Sequence, residues 1–341
     1  MATRMRMLGI DGGGTKTAFT LLDEDLRVLE RFELGTCHYA QAGFEGAERV
    51  LAEGIARAAA TGALGEEWGI GLGICGYGEG ADATRRLDDI VRRVCADHPY
   101  ALVNDVEAAW AAGLDLADGI VIIAGTGSIA YGVCRGRSLR VGGWDYELGD
   151  EGSAGWLGKE LLFAFTRESD GRAPAGAILD LVRAELGLAD DFDLIGFAQR
   201  HMAERGRIAR IAPLVTRAAE AGDACARDIL ARAAREEAAM VATIVQRIFS
   251  ADDAFRPDEG RGGRDAGPGG CDEGPGGRDA AIPVTYVGGT FRAGALILDP
   301  LARALPARCR LVAPAHDPAL GACLLLRRRM SQEGGAPGEA R

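Results

Sequence analysis

Two glycine-rich segments carry residues whose types and spacing suit phosphate chemistry. Asp11-Gly12-Gly13-Gly14-Thr15-Lys16-Thr17 follows a short apolar run from Met5 to Asp11. Glycine lets the backbone fold back sharply with its N–H groups exposed, and such a loop cradles anions. Thr15 adds a hydroxyl donor, and Lys16 joins the same candidate set. Asp11, at the end of the run, can hold Mg2+ directly or through water, because this hard ion keeps several of its waters. An ordinary hairpin turn also uses glycine, but three in a row exceed what a turn needs. The segment is not a Walker A loop. Gly9 to Lys16 matches its outline, yet Thr15 precedes the lysine and a strand follows where a helix is required. Gly125-Thr126-Gly127-Ser128 follows a second apolar run, Gly119 to Ala124, and repeats the same physics. Two such turns can clamp one polyphosphate from both sides.

A third candidate is Asp105, in Leu102-Val103-Asn104-Asp105. A carboxylate at the end of a buried strand is placed to accept a proton from a bound hydroxyl. It is equally placed to cap a helix over 106–112, and spacing alone leans to the cap. The loop from Gly142 to Ser153 gathers acids, aromatics and glycines, as the wall of a ligand site would. Its Asp150 and Glu151 would also complement the dipole of a helix starting beyond them. Gly71-Leu72-Gly73-Ile74-Cys75-Gly76 matches the GxGxxG pattern of dinucleotide sites. Its glycines lie partly within a strand and no helix opens on the last one, so a dinucleotide oxidoreductase is rejected.

The elements that must position these residues can be read from periodicity. Short β-rich runs over Met5 to Asp11, Ala18 to Asp23 and Val28 to Gly35 predict strand, turn, strand, turn, strand. From Phe44 to Ala60 the apolar residues fall on one helical face. A strand over Trp68 to Cys75, a helix over Ala83 to Cys95 and a strand over Tyr100 to Val103 follow. The order restarts at Gly119, with strands over Gly119 to Ala124, Ile129 to Cys134 and Arg137 to Val141. Residues 154 to 167 and most of 175 to 250 read as helix. A strand over Ile282 to Val287, a helix over Ala293 to Leu305, a short strand over Cys309 to Ala313 and a helix over Ala319 to Arg329 complete the chain. Two halves thus each begin with a strand and a glycine-rich turn. This predicts an α/β protein of two lobes, mixed sheets flanked by helices, with the active site in the cleft between them. The boundaries expected are 1–117 for the N-terminal lobe, joined by the helix at 318–330, and 118–317 for the C-terminal lobe. Residues 257–279, rich in Gly, Pro, Arg and Asp, read as a flexible insertion, and 331–341 as a disordered tail.

Composition narrows the class. Of 341 residues, 48% are hydrophobic and 26% charged, which is ordinary for a globular chain with a sizeable core and excludes wholesale disorder. The net charge of −11 lacks the broad cationic field that nucleic acid or an anionic membrane attracts. The longest apolar runs fall far short of the ~20 residues that span a bilayer. The N-terminus meets Asp11 and its glycines too soon for a signal peptide. None of the eight cysteines forms a CxxC pair and the four histidines do not cluster. A cytoplasmic enzyme without a structural metal is the expectation.

Taken together, these motifs resemble the N-acetylglucosamine kinase and BadF/BadG/BcrA/BcrD-type ATPase family, within the actin-like superfamily of sugar kinases and heat-shock ATPases. The resemblance covers residues from about 5 to 328. It rests on Gly9 to Thr17, Val103-Asn104-Asp105, Ala124 to Ser128, Gly142-Gly143-Trp144, Gly149 to Ser153, Gly288-Gly289-Thr290 and Asp317 to Ala322. It implies two actin-like, ribonuclease H-like lobes. It further implies ATP and Mg2+ as cofactors, with Asp11, Gly13, Gly14, Thr15 and Lys16 on the first phosphate loop and Gly125, Thr126 and Gly127 on the second. Gly288 and Gly289 match the adenosine loop. Asp11 matches the metal position. Asp105 matches the catalytic base and a sugar-hydroxyl ligand, and Asn104, Ser128, Gly143 and Asp150 match sugar-contacting positions. His38, in Gly35-Thr36-Cys37-His38-Tyr39, sits where N-acetylglucosamine kinases carry an Asn or an Asn-His pair. Here Cys37 precedes it and the segment to Gly43 is one residue longer. Ile129 stands where the mammalian-type kinases have a polar residue.

The implied activity is ATP-dependent phosphorylation of a hexose or amino sugar, N-acetylglucosamine or glucosamine foremost. The alternative within the family is an ATPase switch that couples hydrolysis to a partner protein. The iron–sulfur form of that switch lacks support, because no cysteine here sits in a cluster motif. A non-catalytic sugar sensor is disfavoured by the intact Asp105 and both glycine loops. The expected partners are a small-molecule sugar and a second copy of the chain, with no nucleic acid and no membrane.

Overall fold

The computed structural model describes residues 5–250 and 281–333. The expected insertion at 257–279 lies outside these residues, as do residues 334–341 of the expected tail. By internal packing the chain divides into two compact units. Of the described residues, one unit comprises 5–121 and 313–333, and the other 122–250 and 281–312.

The first unit opens with β1 (Arg6–Gly12), β2 (Lys16–Leu22) and β3 (Val28–Gly35), three antiparallel strands in sequence. Helix α1 (Tyr39–Ala60), β4 (Trp68–Ile74), α2 (Ala81–Cys95), β5 (Tyr100–Asn104) and α3 (Asp105–Leu114) follow. The sheet order is β3-β2-β1-β4-β5. Strands β1, β4 and β5 are parallel, in a register that sets Gly12 beside Ile74 and Ile74 beside Asn104. Their carboxyl ends therefore finish along one edge, where open α/β sheets take their ligands. Leu8, Ile10, Ile70 and Leu72 are buried as part of the core under α1 and α2. The main body of α1 begins at Phe44 as expected. A first turn from Tyr39 precedes it, broken at Gly43, whose φ of 70° and ψ of 166° no continuous helix adopts.

The second unit builds its sheet from β6 (Gly119–Ala124), β7 (Ser128–Cys134) and β8 (Arg137–Gly142). The helical stretch then resolves into α4 (Ala154–Ser169), α5 (Ala177–Leu186), α6 (Asp193–His201), α7 (Arg205–Ala209), α8 (Pro213–Glu220) and α9 (Ala224–Ile248). Strand β9 (Ile282–Val287), a 3-10 turn at Gly289–Ala293, α10 (Ala295–Ala304) and β10 (Cys309–Leu311) complete it. Its order, β10-β9-β6-β7-β8, is that of the first sheet with β6 in the place of β1. Two mixed five-stranded sheets of matching order, flanked by helices, are the two α/β halves that the restart at Gly119 predicts, and they agree with the actin-like fold that the resemblance implies.

The chain returns to the first unit with α11 (Pro318–Glu333), which continues past Ser331, where fraying was expected. This helix lies unusually close to its neighbours. A Cβ on Gly71 of β4 would fall 2.4 Å from the Cys323 backbone nitrogen, and one on Gly321 would fall 1.8 Å from the Ala108 carbonyl oxygen of α3. In the GxGxxG-like run at 71–76, Gly71 is thus the seat of α11, while a Cβ on Gly73 would meet Cβ of Ala108 in α3 at 2.7 Å and one on Gly76 the Tyr39 ring at 2.9 Å, reasons that have nothing to do with a dinucleotide. No described helix is long and apolar enough to cross a membrane.

Candidate active site

In the first unit the chemistry-bearing residues gather where β1, β4 and β5 end. Asp11 is the penultimate residue of β1, paired with Ala18 on one side and Gly73 on the other. Burial pushes its carboxyl up to about 6, helped by the charges of Asp105 and Asp317 and opposed by Lys16 and Arg31. Asp11 and Asp105 are therefore close enough to feel one another. Gly12, outside the expected set, is the glycine of the loop with the clearest steric need. A Cβ there would lie 2.6 Å from the Cys37 sulfur and 2.8 Å from Cδ1 of Ile74. Gly13 closes the hairpin by donating its N–H to the Lys16 carbonyl at 3.1 Å. Gly13 and Gly14 are half-buried and Thr15 is exposed at the tip. Lys16 forms an ion pair with Glu33 of the adjacent strand.

Asp105 is the first residue of α3, and the cap of that helix is Asn104. Asn104 Oδ1 accepts the Val106 N–H at 3.0 Å, and its Nδ2 donates to the Tyr77 carbonyl at 2.6 Å. The capping role that spacing offered to Asp105 falls one residue earlier. His38 caps α1, its Nδ1 accepting the Ala40 N–H at 3.2 Å, and its ring stacks on Tyr39. Arg31 bonds Asp317 at 3.0 Å, and Asp317 in turn accepts the Ala319 N–H at the head of α11. No local pattern in the sequence marks the Arg31–Asp317 pair, because its members come from opposite ends of the chain.

In the second unit the loop Gly125–Gly127 closes on itself through a Gly125 N–H to Gly127 carbonyl bond of 2.9 Å. Its carbonyls dock on the head of α4: Ala154 N–H donates to Gly125 at 2.8 Å and Gly155 N–H to Thr126 at 3.3 Å. Ser128 donates its hydroxyl to the Glu151 carbonyl at 2.6 Å, tying the loop to the 149–153 segment. Asp150 is 4% exposed, and its Oδ2 has no hydrogen-bond partner among the described residues. Burial raises its carboxyl above the usual range, while the Ser128 N–H and the Arg205 charge oppose that. Arg205 stands 3.8 Å from Asp150 and 2.9 Å from Asp145. Oδ2 also lies 2.6 Å from where a Cβ on Gly127 would be, so Asp150 sits directly against the glycine loop. Gly143 places its backbone against Ile129 and Arg140. At the end of β9, a Cβ on Gly288 would fall 2.2 Å from the Ala124 carbonyl oxygen, so this glycine turns hard against the start of the 125–127 loop, while Gly289 beside it has open space.

Glu237 of α9 was not anticipated. It is fully buried, neither carboxylate oxygen has a hydrogen-bond partner among the described residues, and burial raises its carboxyl well above the usual range. Its Oε1 lies 3.1 Å from where a Cβ on Gly152 would sit, beneath the loop that bears Asp150. A glutamate in a long amphipathic helix reads as a solvated residue, so sequence offered no signal for it. Glu168, Asp223 and Cys225 lie within 4.8 Å of one another, the one such group among the described residues. Both carboxylates already accept N–H groups at helix ends, Gly176 on Glu168 and Ile178 and Ala226 on Asp223, which accounts for them as caps.

The model of the BadF/BadG/BcrA/BcrD ATPase family matches residues 8–325. The chain is 34% identical over 248 residues to an N-acetylmuramic acid/N-acetylglucosamine kinase of Clostridium acetobutylicum, an alignment covering 70% of this chain and 79% of that one. It is 26% identical over 333 residues to an N-acetyl-D-glucosamine kinase of Dictyostelium discoideum, covering 93% and 96%. Among solved structures, a candidate N-acetylglucosamine kinase from Chromobacterium violaceum superposes with a TM-score of 0.65 at 25% identity, over 95% of this chain and all of that one.

Proposed function

The chain belongs to the BadF/BadG/BcrA/BcrD ATPase family, and from that membership we propose that it is an ATP-dependent kinase of an amino sugar, N-acetylglucosamine or glucosamine. The observation that carries the reading is the division of labour at the head of α3. Asn104 bears the cap, so Asp105 is not needed for it, and Asp105 stands where three parallel strands end. The kinase names of the relatives supply the reaction class.

In this reading the acceptor hydroxyl of the sugar lies at the Asp105 carboxylate. Asp105 orients that hydroxyl and takes its proton as the sugar oxygen bonds to the γ-phosphorus and the bond to ADP breaks. Phosphoryl transfer needs positioning and charge stabilisation more than covalent help from the protein. Apart from those of Gly13 and Gly125, which close their own loops, the N–H groups at the tips of the 12–15 and 125–127 loops suit the phosphates, and Gly288 and Gly289 the adenosine. Asp150, whose buried Oδ2 has Arg205 at 3.8 Å and no hydrogen-bond partner among the described residues, suits a sugar hydroxyl. The same reading assigns to the sugar Asn104 and His38 in the first unit and Ser128 and Gly143 in the second.

The residues fit a magnesium ion. Asp11 offers a hard oxygen donor whose carboxyl is raised by burial and by the acids beside it, an imbalance that a cation would relieve. When bound, Mg2+ neutralises charge on the transferring phosphate. A cytoplasmic location and a homodimeric state form part of the same proposal. Light scattering on the purified protein measures the second.

The test is a coupled assay of ADP release with ATP and a panel of sugars. Release stimulated by N-acetylglucosamine or glucosamine is the expected result. Turnover indifferent to every sugar would instead favour the ATPase-switch reading.

A further inference from the structure

We propose that the Thr36 hydroxyl is a positioning group that couples the first glycine loop to the His38 segment, so that nucleotide and sugar bind cooperatively. This rests on the kinase reading above. Thr36 Oγ1 donates to the Gly13 carbonyl at 2.9 Å and accepts the His38 N–H at 3.0 Å. A hydroxyl can donate and accept at once, and an aliphatic side chain of the same shape can do neither. Gly13 is the residue that closes the phosphate-loop hairpin, and His38 is the residue that opens α1. One atom therefore touches the backbone of both.

The intervening residue makes this contact a linkage and not a loose end. Cys37 is buried, its N–H donates to Thr17 Oγ1 at 3.0 Å, and its sulfur fills the space left open by Gly12. Thr17 and Gly12 are paired in register across β1 and β2. The segment 36–38 is thus fixed to the base of the hairpin at Cys37 and to its loop at Thr36. A phosphate that orients the peptides of the loop sets the direction of the Gly13 carbonyl. The hydroxyl then follows that carbonyl, and the His38 N–H follows the hydroxyl. The same path runs backwards from a sugar held at His38, as reciprocity of coupling requires. A neutral hydrogen bond contributes a factor of about five in an equilibrium constant, which sets the scale of coupling that its loss removes.

The experiment is titration calorimetry of the non-hydrolysable analogue AMP-PNP with Mg2+, in the absence and presence of saturating N-acetylglucosamine, or of glucosamine where that is the better acceptor. The wild type should bind AMP-PNP more tightly with sugar than without. Thr36→Val should bind each ligand alone within about two-fold of wild type and lose roughly five-fold of the mutual tightening. Thr36→Ser, which keeps the hydroxyl, should restore it. Thr36→Ala, which leaves space instead of filling it, should behave as Thr36→Val does. Full cooperativity in Thr36→Val, or equal weakening of AMP-PNP with and without sugar, overturns the inference and leaves the kinase reading intact. A wild type that binds both ligands without mutual effect also overturns it. A wild type that phosphorylates no sugar overturns the kinase reading first, and the inference with it.

Discussion

Asn104 caps the helix that Asp105 begins. Its Oδ1 holds the Val106 N–H at 3.0 Å while its Nδ2 reaches the Tyr77 carbonyl at 2.6 Å, so both ends of the amide are used in structure. Asp and Asn are equally good caps, and in Asn104-Asp105 either could have served. That the amide takes the cap places the charged residue one position on, in the first turn of α3, near enough to Asp11 to raise its carboxyl.

Substitution at Gly288 should damage nucleotide binding in particular. Its φ of 124° is unfavourable for any side chain, and a Cβ would meet the Ala124 carbonyl at 2.2 Å. Accommodating Gly288→Ala by backbone movement costs about 1–3 kcal/mol. The movement falls on the residue next to the 125–127 loop, so calorimetry should show at least ten-fold weaker AMP-PNP binding. Unchanged affinity would place the adenosine elsewhere.

Gly71→Ala is expected to lower stability. The added methyl would press on the backbone of α11 at Cys323, and overpacking of this kind costs about 1–3 kcal/mol or more. Gly35→Ala, at a glycine with nothing within 4 Å, is the matched control and should leave the urea midpoint nearly unchanged. Equal midpoints for the two variants would show that α11 does not seat on β4 as described.

These glycines also show where local pattern stops being informative. The strands, the two glycine turns and the repeated order of elements were legible because alternation and turn residues act over a few positions. Gly71, the first glycine of the run at 71–76, reads as part of a dinucleotide fingerprint because the partner that needs its missing side chain, α11, arrives from the far end of the chain. The Arg31–Asp317 pair was hidden for the same reason. The cap at Asn104 could not be separated from Asp105, since helix ends are ambiguous by a residue when both neighbours can cap. Gly43 breaks α1 just before Phe44, where the helical periodicity begins, and Pro300 sits inside α10 without ending it. Asp105, Asp150 and both glycine loops were named from sequence. The burial of Asp150 and the unpartnered Glu237 are products of packing that no spacing encodes.

Glu237 gives a pH dependence with a definite sign. Its folded carboxyl titrates well above that of the unfolded chain because burial disfavours the charge. Between the two values the folded state holds a proton that the unfolded state has released, so stability falls as pH rises through that window. Glu237→Gln cannot ionise and keeps the shape. It should raise the melting temperature at pH 7–8, by roughly 0.5–3 kcal/mol of stability, with the gain shrinking towards pH 4. A gain that is constant from pH 4 to pH 8 would contradict this.

Asp150→Asn should act on the sugar and not on the nucleotide. The variant keeps the shape but removes the charge from a buried acceptor, and hydrogen bonds to charged groups contribute about 1.5–3 kcal/mol. The KM for the amino sugar should rise roughly 10- to 100-fold, with the KM for ATP within a few-fold of wild type. A change confined to ATP would reassign Asp150 to the phosphates.

The central claim is that Asp105 takes the proton of the acceptor hydroxyl, and its most direct test is the rate of sugar phosphorylation by Asp105→Asn. The substitution removes only the charge and the capacity to accept a proton, and because Asn104 holds the cap it leaves α3 in place. The account predicts a melting temperature and AMP-PNP affinity close to wild type, with kcat for the amino sugar lower by about 10²–10⁴-fold. A folded Asp105→Asn protein that phosphorylates its sugar within a few-fold of the wild-type rate would contradict it.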